Sequence, residues 1–273
     1  MQFLKPFLFP FSFLLITHFS VGQSWEISKV IPLKGNFVNA SIDRYGNSIY
    51  ANEKGEIYKY DANGVFLQDY VPQKISAVSL VESWFSVKTF LFYKEFQEYT
   101  LLDRQFSFAK NYKLHSESEF ASAVSIASDG NIWVFDQDGF SIKKVHFSQN
   151  TILLTAPLDL SLQNNDMEIS FLREYQNKLF LNDVYSGVLI FDNLGNYWKT
   201  IEVKDNQWFG FSENDLYYLS EDKELVFINI YSEKTYSITL PKQKEILAFL
   251  STKEKIIAFT KKEMQIYTIA NKK

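Results

Sequence analysis

Short apolar segments separated by polar turn residues make up most of the chain. Residues 179–181 (Leu-Phe-Leu) and 188–191 (Val-Leu-Ile-Phe) are apolar on both faces, whereas residues 56–60 (Glu-Ile-Tyr-Lys-Tyr) alternate between polar and apolar positions. Short continuous apolar runs are typical of strands that are covered on both faces, and alternation is typical of strands with one wetter face. The pattern therefore predicts many short β-strands in sheets that pack against one another.

The turns between these segments repeat along the chain. Asp-Arg-Tyr-Gly-Asn at 43–47 precedes one apolar segment, and Ser-Asp-Gly-Asn at 128–131 precedes another. Later in the repeating unit, a strand ends in Asp61 in one case and in Asp192 in another. Gly, Asn and Asp tolerate the left-handed conformations that tight hairpins need. A period of about 42 residues built from short strands predicts a β-propeller, in which each repeat forms one blade.

Dividing the chain by this period gives six units, of which the last holds only three predicted strands. The units span residues 39–70, 75–112, 121–154, 168–203, 208–240 and 246–269. Residues 25–33 form a strand without a hairpin partner, and this strand fits the vacancy in the last unit. Closing the ring in this way removes exposed strand edges. The sequence therefore predicts an all-β, six-bladed β-propeller of four-stranded antiparallel blades, closed by the N-terminal strand.

The first 22 residues are a different kind of sequence. Lys5 precedes an apolar stretch at 6–16, and Ser20-Val21-Gly22 supplies the small residues expected before a cleavage point. This pattern predicts a secretory signal peptide over residues 1–22, because the apolar run is too short to span a bilayer. Residues 23–273 are predicted to form a single propeller domain, since the best candidate for a linker, 158–166, has the length of a long inter-blade loop.

Composition and charge narrow the class of protein. Apolar residues make up 46% of the 273 residues and aromatic residues 17%, which suffices for a large core. The net charge of −4 argues against nucleic-acid binding, and the lack of Cys excludes disulfides and thiolate chemistry. We expect an exported protein of a Gram-negative bacterium, located in the periplasm, at the outer membrane or at the cell surface. The Phe-rich leader ending in Gly22-Gln23 resembles exported proteins of the Bacteroidota.

Two of the repeated segments resemble a known group of proteins. Asp-Gly-Asn-Ile-Trp at 129–133 and Tyr-Gly-Asn-Ser-Ile-Tyr at 45–50 resemble repeats of NHL-type propellers and of the periplasmic sensor propellers of two-component regulators. The second and sixth units depart from this motif. The resemblance implies a ring of about six blades and no catalytic residues, because these families share a scaffold and not a chemistry.

Candidate chemistry is sparse, and we predict no catalytic, metal-binding or cofactor-binding residue. His115 and His146 lack a second His or a carboxylate at ligand spacing. Asp136-Gln137-Asp138-Gly139 resembles the opening of a calcium loop, but the twelfth position is Phe147 instead of Glu. A hairpin turn is the simpler interpretation. A site assembled across blades remains open at this point, because residues from different blades can converge in space.

One face of the predicted ring is the best candidate for binding. The turns between second and third strands share a face with the inter-blade loops, and the loops at 112–120 and 158–167 should border it. The candidate interaction rim on this face consists of Asp136, Asp138, Asn182, Asp183, Tyr185, Asp205, Asn206, Trp208, Glu221 and Asp222. Function concentrates on loops held by a rigid frame, and Tyr and Trp are good anchors in protein contacts.

Three functions are compatible with these features. The leading hypothesis is an exported, non-enzymatic β-propeller that serves as a protein-interaction module or as an accessory subunit of a periplasmic or outer-membrane assembly. Its expected partner is another envelope protein or complex, with neither nucleic acid nor a membrane span involved. The alternative is a propeller that binds a small ligand or carbohydrate, and in one variant hydrolyses it, in the central channel. A signalling sensor is the third hypothesis.

Overall fold

The computed structural model describes residues 24–73, 75–83, 88–114, 120–149, 151–158, 167–203, 206–241 and 245–270, so the predicted leader lies outside the described residues. The described chain is almost entirely β, with one short 3-10 helix at Lys94–Phe96. No helix in these ranges has the length and apolarity that a membrane crossing requires. The strands are β1 (Trp25–Pro32), β2 (Phe37–Ile42), β3 (Ser48–Asn52), β4 (Ile57–Tyr60), β5 (Phe66–Tyr70), β6 (Leu80–Glu82), β7 (Thr89–Tyr93), β8 (Glu98–Leu102), β9 (Ala109–Lys113), β10 (Ala121–Ile126), β11 (Ile132–Asp136), β12 (Ser141–Val145), β13 (Ile152–Pro157), β14 (Ile169–Tyr175), β15 (Lys178–Asp183), β16 (Gly187–Asp192), β17 (Tyr197–Ile201), β18 (Gly210–Ser212), β19 (Asp215–Leu219), β20 (Leu225–Asn229), β21 (Thr235–Ile238), β22 (Ala248–Ser251), β23 (Lys255–Phe259) and β24 (Glu263–Ile269).

The strands form six four-stranded antiparallel sheets, the blades of a β-propeller. Five blades use four consecutive strands, from β2–β5 to β18–β21. The sixth has the order β22-β23-β24-β1, so the first strand of the chain pairs with the last. In this pairing Val30 lies opposite Gln265 and Ile31 opposite Met264. The predicted six-bladed fold and its closure by the N-terminal strand are confirmed.

The connections between strands define two faces of the ring. The turns between second and third strands lie with the inter-blade connections on one face, which we call the inter-blade face. Backbone hydrogen bonds join the two kinds of segment: Leu33 N donates to Lys262 O at 2.7 Å, Val184 N to Glu168 O at 3.0 Å, and Leu158 N to Phe140 O at 3.1 Å. The other turns lie on the opposite face, where Ala270 N donates to Ser24 O.

The repeated turn motif has a direct physical explanation in its Asp. In the turn at 43–47, Asp43 Oδ1 accepts hydrogen bonds from the backbone N–H groups of Tyr45 and Asn47 at 2.9 and 3.0 Å. Gly46 has a φ of +79°, which a residue with a side chain adopts only with strain. Asp192 caps the turn before β17 in the same way, through Leu194 N and Asn196 N. The motif therefore specifies the hairpin geometry. Because the carboxylate oxygens already accept backbone hydrogen bonds, they are poorly placed to bind a ligand or to take part in catalysis.

Large aromatic side chains fill the space between neighbouring blades. Trp133, Tyr50, Tyr99, Tyr217 and Tyr267 are among the largest fully buried side chains. Their polar atoms are bonded inside the protein, as when the Trp133 indole N–H donates to Glu174 at 2.5 Å. Blades fanned around an axis diverge towards the outside, so the spaces between them call for broad side chains. The aromatic content of the sequence follows from this geometry.

Candidate functional site

A hollow opens on the inter-blade face at the axis of the ring, where the innermost strands begin. Its volume is about 310 Å³, and we call it the axial hollow. It is lined by Phe37, Val38, Asn39 and Ala40 of β2, Ser79 before β6, Ser170 and Phe171 of β14, Gln207 and Trp208 before β18, and Leu247, Ala248 and Leu250 around β22. This lining is apolar or neutral polar, and it combines residues of five blades.

Bulges in the innermost strands place side chains at the mouth of the hollow. The register of β2 with β3 shifts between Phe37 and Asn39, and that of β14 with β15 shifts between Ile169 and Phe171. The extra residues, Val38 and Ser170, both line the hollow. A β-bulge changes the direction of side chains and is common beside functional surfaces. Strand β10 has a bulge at the equivalent position.

Polar contacts across blades fix the walls of the hollow. Asn39 Nδ2 donates to Ser79 O at 3.3 Å, and Asn39 Oδ1 accepts from Val81 N at 3.2 Å, which ties blade 1 to blade 2. Ser170 Oγ donates to Gln207 O at 3.1 Å, which ties blade 4 to the loop that carries Trp208. The hollow is therefore held in shape before anything binds.

Trp208 is the largest side chain of the lining. Its ring lies 6.0 Å from that of Phe171 and 5.9 Å from that of Tyr217, measured between centroids. It packs against three separate hydrophobic clusters but remains half-buried. Burial raises the pKa of Tyr217, beneath it, to about 12, so this phenol stays protonated at neutral pH. Trp208 lies in the loop before β18, which connects blade 4 to blade 5.

A buried ion pair lies on the axis further along the innermost strands. Arg173 Nε lies 3.3 Å from Glu82 Oε1, and the two side chains are 6% and 0% exposed. Ser125 Oγ and Ile126 N each donate to the Glu82 carboxylate at 3.0 Å. A cavity of about 20 Å³ adjoins Arg173, large enough for one water molecule. The axis thus holds a buried ion pair between the axial hollow and the opposite face.

Four residues of the predicted rim are buried and bonded inward. Asp136 pairs with Lys143 at 2.6 Å, so a lysine ammonium supplies the positive charge at the calcium-like turn. Asn182 Nδ2 donates to Asn206 O at 2.5 Å, and the Asp183 carboxylate accepts from Glu168 N at 2.9 Å. Asn182, Asp183 and Asn206 therefore hold the turn of blade 4 against the neighbouring inter-blade loops.

The remaining rim residues that the structure describes are exposed, except for the half-buried Trp208. Asp138, Tyr185, Glu221 and Asp222 lie in turns between second and third strands, on the predicted face. Asp205 lies outside the described residues. Of the rim residues that the structure describes, only Trp208 lines the axial hollow.

Sequence reasoning missed most of the hollow. Phe37, Val38, Phe171 and Leu247 carry no motif and lie in three different places in the chain. One signal was present, because each lies at or near the start of the first strand of its unit, where a propeller brings its strands to the axis.

The histidine of the described chain has a structural role. His146 Nδ1 accepts from the backbone N–H groups of Ser148 and Gln149, in a turn on the opposite face. His115 lies outside the described residues. Within the described ranges, no three His, Asp or Glu side chains are grouped so that they could hold a metal ion.

Comparison with solved structures defines the class of this protein. Virginiamycin B lyase from Staphylococcus aureus superposes with a TM-score of 0.61 at 10% identity, over 90% of this chain and all of that one. BamB from Moraxella catarrhalis gives 0.55 at 10% identity, over 92% and 99% of the two chains. The Cps50 (Swd1) β-propeller domain from Myceliophteria thermophila gives 0.60 at 11% identity, over 90% and 100%.

These similarities concern the fold. At such identities the likeness shows a β-propeller and no shared activity. No protein-family model matches the sequence, and no curated protein matches it either. The chain is a six-bladed β-propeller with an axial hollow on its inter-blade face.

Proposed function

We propose that this chain is an exported, non-enzymatic β-propeller that serves as a protein-interaction module or accessory subunit of a periplasmic or outer-membrane assembly. It binds its partner through the inter-blade face. The observation that carries the proposal is the axial hollow with Trp208 in its wall. Half-buried aromatic side chains in rigid pockets are the usual anchors of protein interfaces.

The fixed shape of the face favours this role. Hydrogen bonds from Asn39, Ser170 and Asn182 hold the loops around the hollow in place. A preorganised surface loses little conformational entropy on binding, so more of the contact energy appears as affinity. Tyr185 adds an exposed aromatic ring on the same face.

Export rests on the sequence. The segment 1–22 has the three parts of a signal peptide, and we propose that residues 23–273 form the mature propeller. The leader and the NHL-like turns lead us to propose a Bacteroidota source. The propeller neighbours include both a lyase and BamB, so the fold itself does not choose between an enzyme and a binding module.

Site-specific photo-crosslinking in the native envelope tests the interaction face. A crosslinking amino acid at Leu247, in the hollow, is compared with one at Tyr45, in a turn of the opposite face; both positions are 50% exposed. We expect Leu247 to crosslink to one discrete envelope protein that mass spectrometry identifies, and Tyr45 not to do so. Loss of that product in a Trp208→Ala protein that still unfolds cooperatively completes the result. Equal labelling from both faces, or none from Leu247, would contradict the proposal.

A small apolar ligand is the second candidate, because 310 Å³ lies at the lower limit of ligand pockets. The apolar lining suits such a ligand better than a sugar. The carboxylate on the axis, Glu82, is buried and ion-paired, which disfavours the hydrolytic variant. Native mass spectrometry of the protein isolated from its source decides: a bound mass that is absent from Trp208→Ala favours the ligand.

A further inference from the structure

Exposed carboxylates occupy one side of the inter-blade face. They lie in turns and inter-blade connections of blades 3 to 5, and we call them the acidic arc: Asp138, Glu168, Glu202, Glu221, Asp222 and Glu224. Lys223 is the one cation among the described residues of these segments. None of the six carboxylates forms an ion pair with another described residue, whereas Glu213 and Glu233 on the opposite face do.

The acidic arc lies on one side of the axial hollow. Across the ring, the corresponding turn of blade 6 carries Lys261 and Lys262, and that of blade 1 carries Lys54 between Glu53 and Glu56. Within the arc, Glu168 lies two positions before Ser170, which lines the hollow. Neighbouring strands lie about 4.8 Å apart, so a turn between the second and third strands is roughly 7 Å outward from the innermost strand. The negative charge therefore begins at the edge of the hollow and extends outward on one side.

We propose that the partner is a protein segment that inserts one large apolar side chain into the axial hollow and lays Lys or Arg residues on the acidic arc. This inference rests on the proposed function and names the chemistry of its partner. An extended chain advances about 3.3 Å per residue, so the basic residues lie two to three positions from the anchor, on one side of it. The apolar anchor supplies most of the affinity, and the charges set the orientation of the segment and speed its association.

The same charges disfavour a lipid surface as the occupant. The headgroups of anionic lipids carry negative charge and would meet the acidic arc unfavourably. A second copy of this chain could cover the hollow only by placing its own basic turns on the arc. Both occupants are outcomes of the test below.

Isothermal titration calorimetry with defined peptides tests the proposal. The probe is the end-blocked heptapeptide Lys-Lys-Gly-Trp-Gly-Ser-Ser, and its two controls replace Trp by Ala or both Lys by Glu. We expect the full propeller to bind the probe at least about tenfold more tightly than either control. Raising the salt concentration from about 50 to about 300 mM should weaken binding of the probe severalfold, because exposed charges are screened.

Matched variants test whether the peptide binds to the inter-blade face. Glu221→Lys in the arc should weaken binding of the probe about three- to tenfold at low salt, whereas Glu254→Lys, the same change on the opposite face, should leave it unchanged. Trp208→Ala should weaken it at least about tenfold. Leu247→Asn changes a half-exposed side chain and should act in the same direction even if Trp208→Ala disturbs folding.

Several results would overturn the inference. These are no binding of the probe, equal affinity for the Lys and Glu peptides, or no effect of Glu221→Lys. Sedimentation showing a dimer that Leu247→Asn dissociates would assign the hollow to a second copy. Trp208-dependent binding to phosphatidylglycerol vesicles would assign it to a membrane. If Leu247 still crosslinks to a discrete protein while the peptides fail, the proposed function stands and only the basic, apolar-anchored segment is wrong.

Discussion

At the residue scale, polar side chains in this protein mostly shape the backbone. Asp43 and Asp192 close hairpins through backbone N–H groups, and Asn182 and Asp183 join a turn to the loops beside it. The residues that are free to meet a partner are instead apolar or aromatic ones at the axis and carboxylates on exposed turns. A polar residue at a strand end is therefore poor evidence of a binding site in this fold.

Alanine substitutions at two glycines distinguish the stability cost of backbone strain from that of steric overlap. Gly55 and Gly130 have nearly the same φ, +80° and +83°, but a methyl group would overlap the Ser76 carbonyl oxygen at Gly55 and meet nothing within 4 Å at Gly130. We expect Gly130→Ala to cost about 1 kcal/mol from left-handed strain alone. Gly55→Ala should cost a further 1–3 kcal/mol or so, because the inter-blade loop must shift. Guanidinium unfolding of both variants measures the difference, and equal losses would refute the overlap.

At the element scale, the ring depends on one strand that is remote in sequence from its partner. β1 pairs along its length with β24, with a bulge between Ile27 and Lys29; Trp25 and Ile27 are half-buried and Ile31 is buried. Ile31 packs in the cluster that also contains Tyr50, Phe259 and Met264, so this strand joins blade 6 to blade 1. Without β1, the ladder edge of β24 would be exposed to pairing with other chains.

Adjacent residues of β1 test this closure. Ile31 is 9% exposed and Val30 is 46% exposed, because neighbouring residues of a strand point to opposite faces. We expect Ile31→Asp to lower the free energy of unfolding by about 3 kcal/mol or more, since it buries an unpaired charge. Val30→Asp should change it by less than about 0.5 kcal/mol. Chemical denaturation measures both, and similar losses would show that β1 does not close the core.

At the scale of the whole molecule, six similar sheets place their connections in two layers with different roles. The layer with the axial hollow is cross-linked between blades and carries the acidic arc. The other layer contains most of the Asp-capped hairpins, including those of Asp43, Asp129 and Asp192. Because Asp-capped hairpins recur around the ring, the stability of several hairpins depends on the ionisation of a carboxylate and therefore on pH.

The carboxylates in these hairpins predict loss of stability in acid. Burial alone raises the pKa of Asp43, but hydrogen bonds from Asn47 and Lys59 and the nearby ammonium outweigh it and hold the pKa below its usual range. Hydrogen bonds with Asn196 lower the pKa of Asp192 in the same direction. A carboxyl with a depressed pKa in the folded state adds stability above its unfolded pKa, and this stability is lost as the pH falls through the folded value.

We therefore expect the guanidinium concentration at the midpoint of unfolding to decrease as the pH is lowered from about 5 to about 2. Asp43→Asn should lower the midpoint at pH 7 and reduce its change with pH, because the amide cannot ionise. Asp138→Asn, at an exposed carboxylate without an ion pair in the described chain, serves as the control and should leave the midpoints unchanged. A pH dependence of the Asp43→Asn protein identical to that of the unaltered protein would contradict the assignment.

Local turn chemistry made the architecture predictable. Asp43, Gly46 and their counterparts act within five residues, so the repeat that they form is visible in the sequence, and the unpaired segment at 25–33 then fixed the closure. The hollow was not predictable because Val38, Phe171, Trp208 and Leu247 meet only when the ring closes. The exposure of Val38 also depends on a one-residue bulge, which the alternation of residues does not reveal. Conversely, the burial of Asn182 and Asp183 could not be predicted, because it depends on hydrogen bonds with residues of the inter-blade connections on either side of blade 4.

The contact between Ala270 N and Ser24 O has a practical consequence. The two ends of the described chain meet on the side of the disc away from the axial hollow. A tag or fusion attached directly at Ser24 or Ala270 would therefore lie on the face opposite the axial hollow. A short peptide linking the ends would give a circular backbone that could be reopened in another blade, which would relocate the termini without altering the recognition surface.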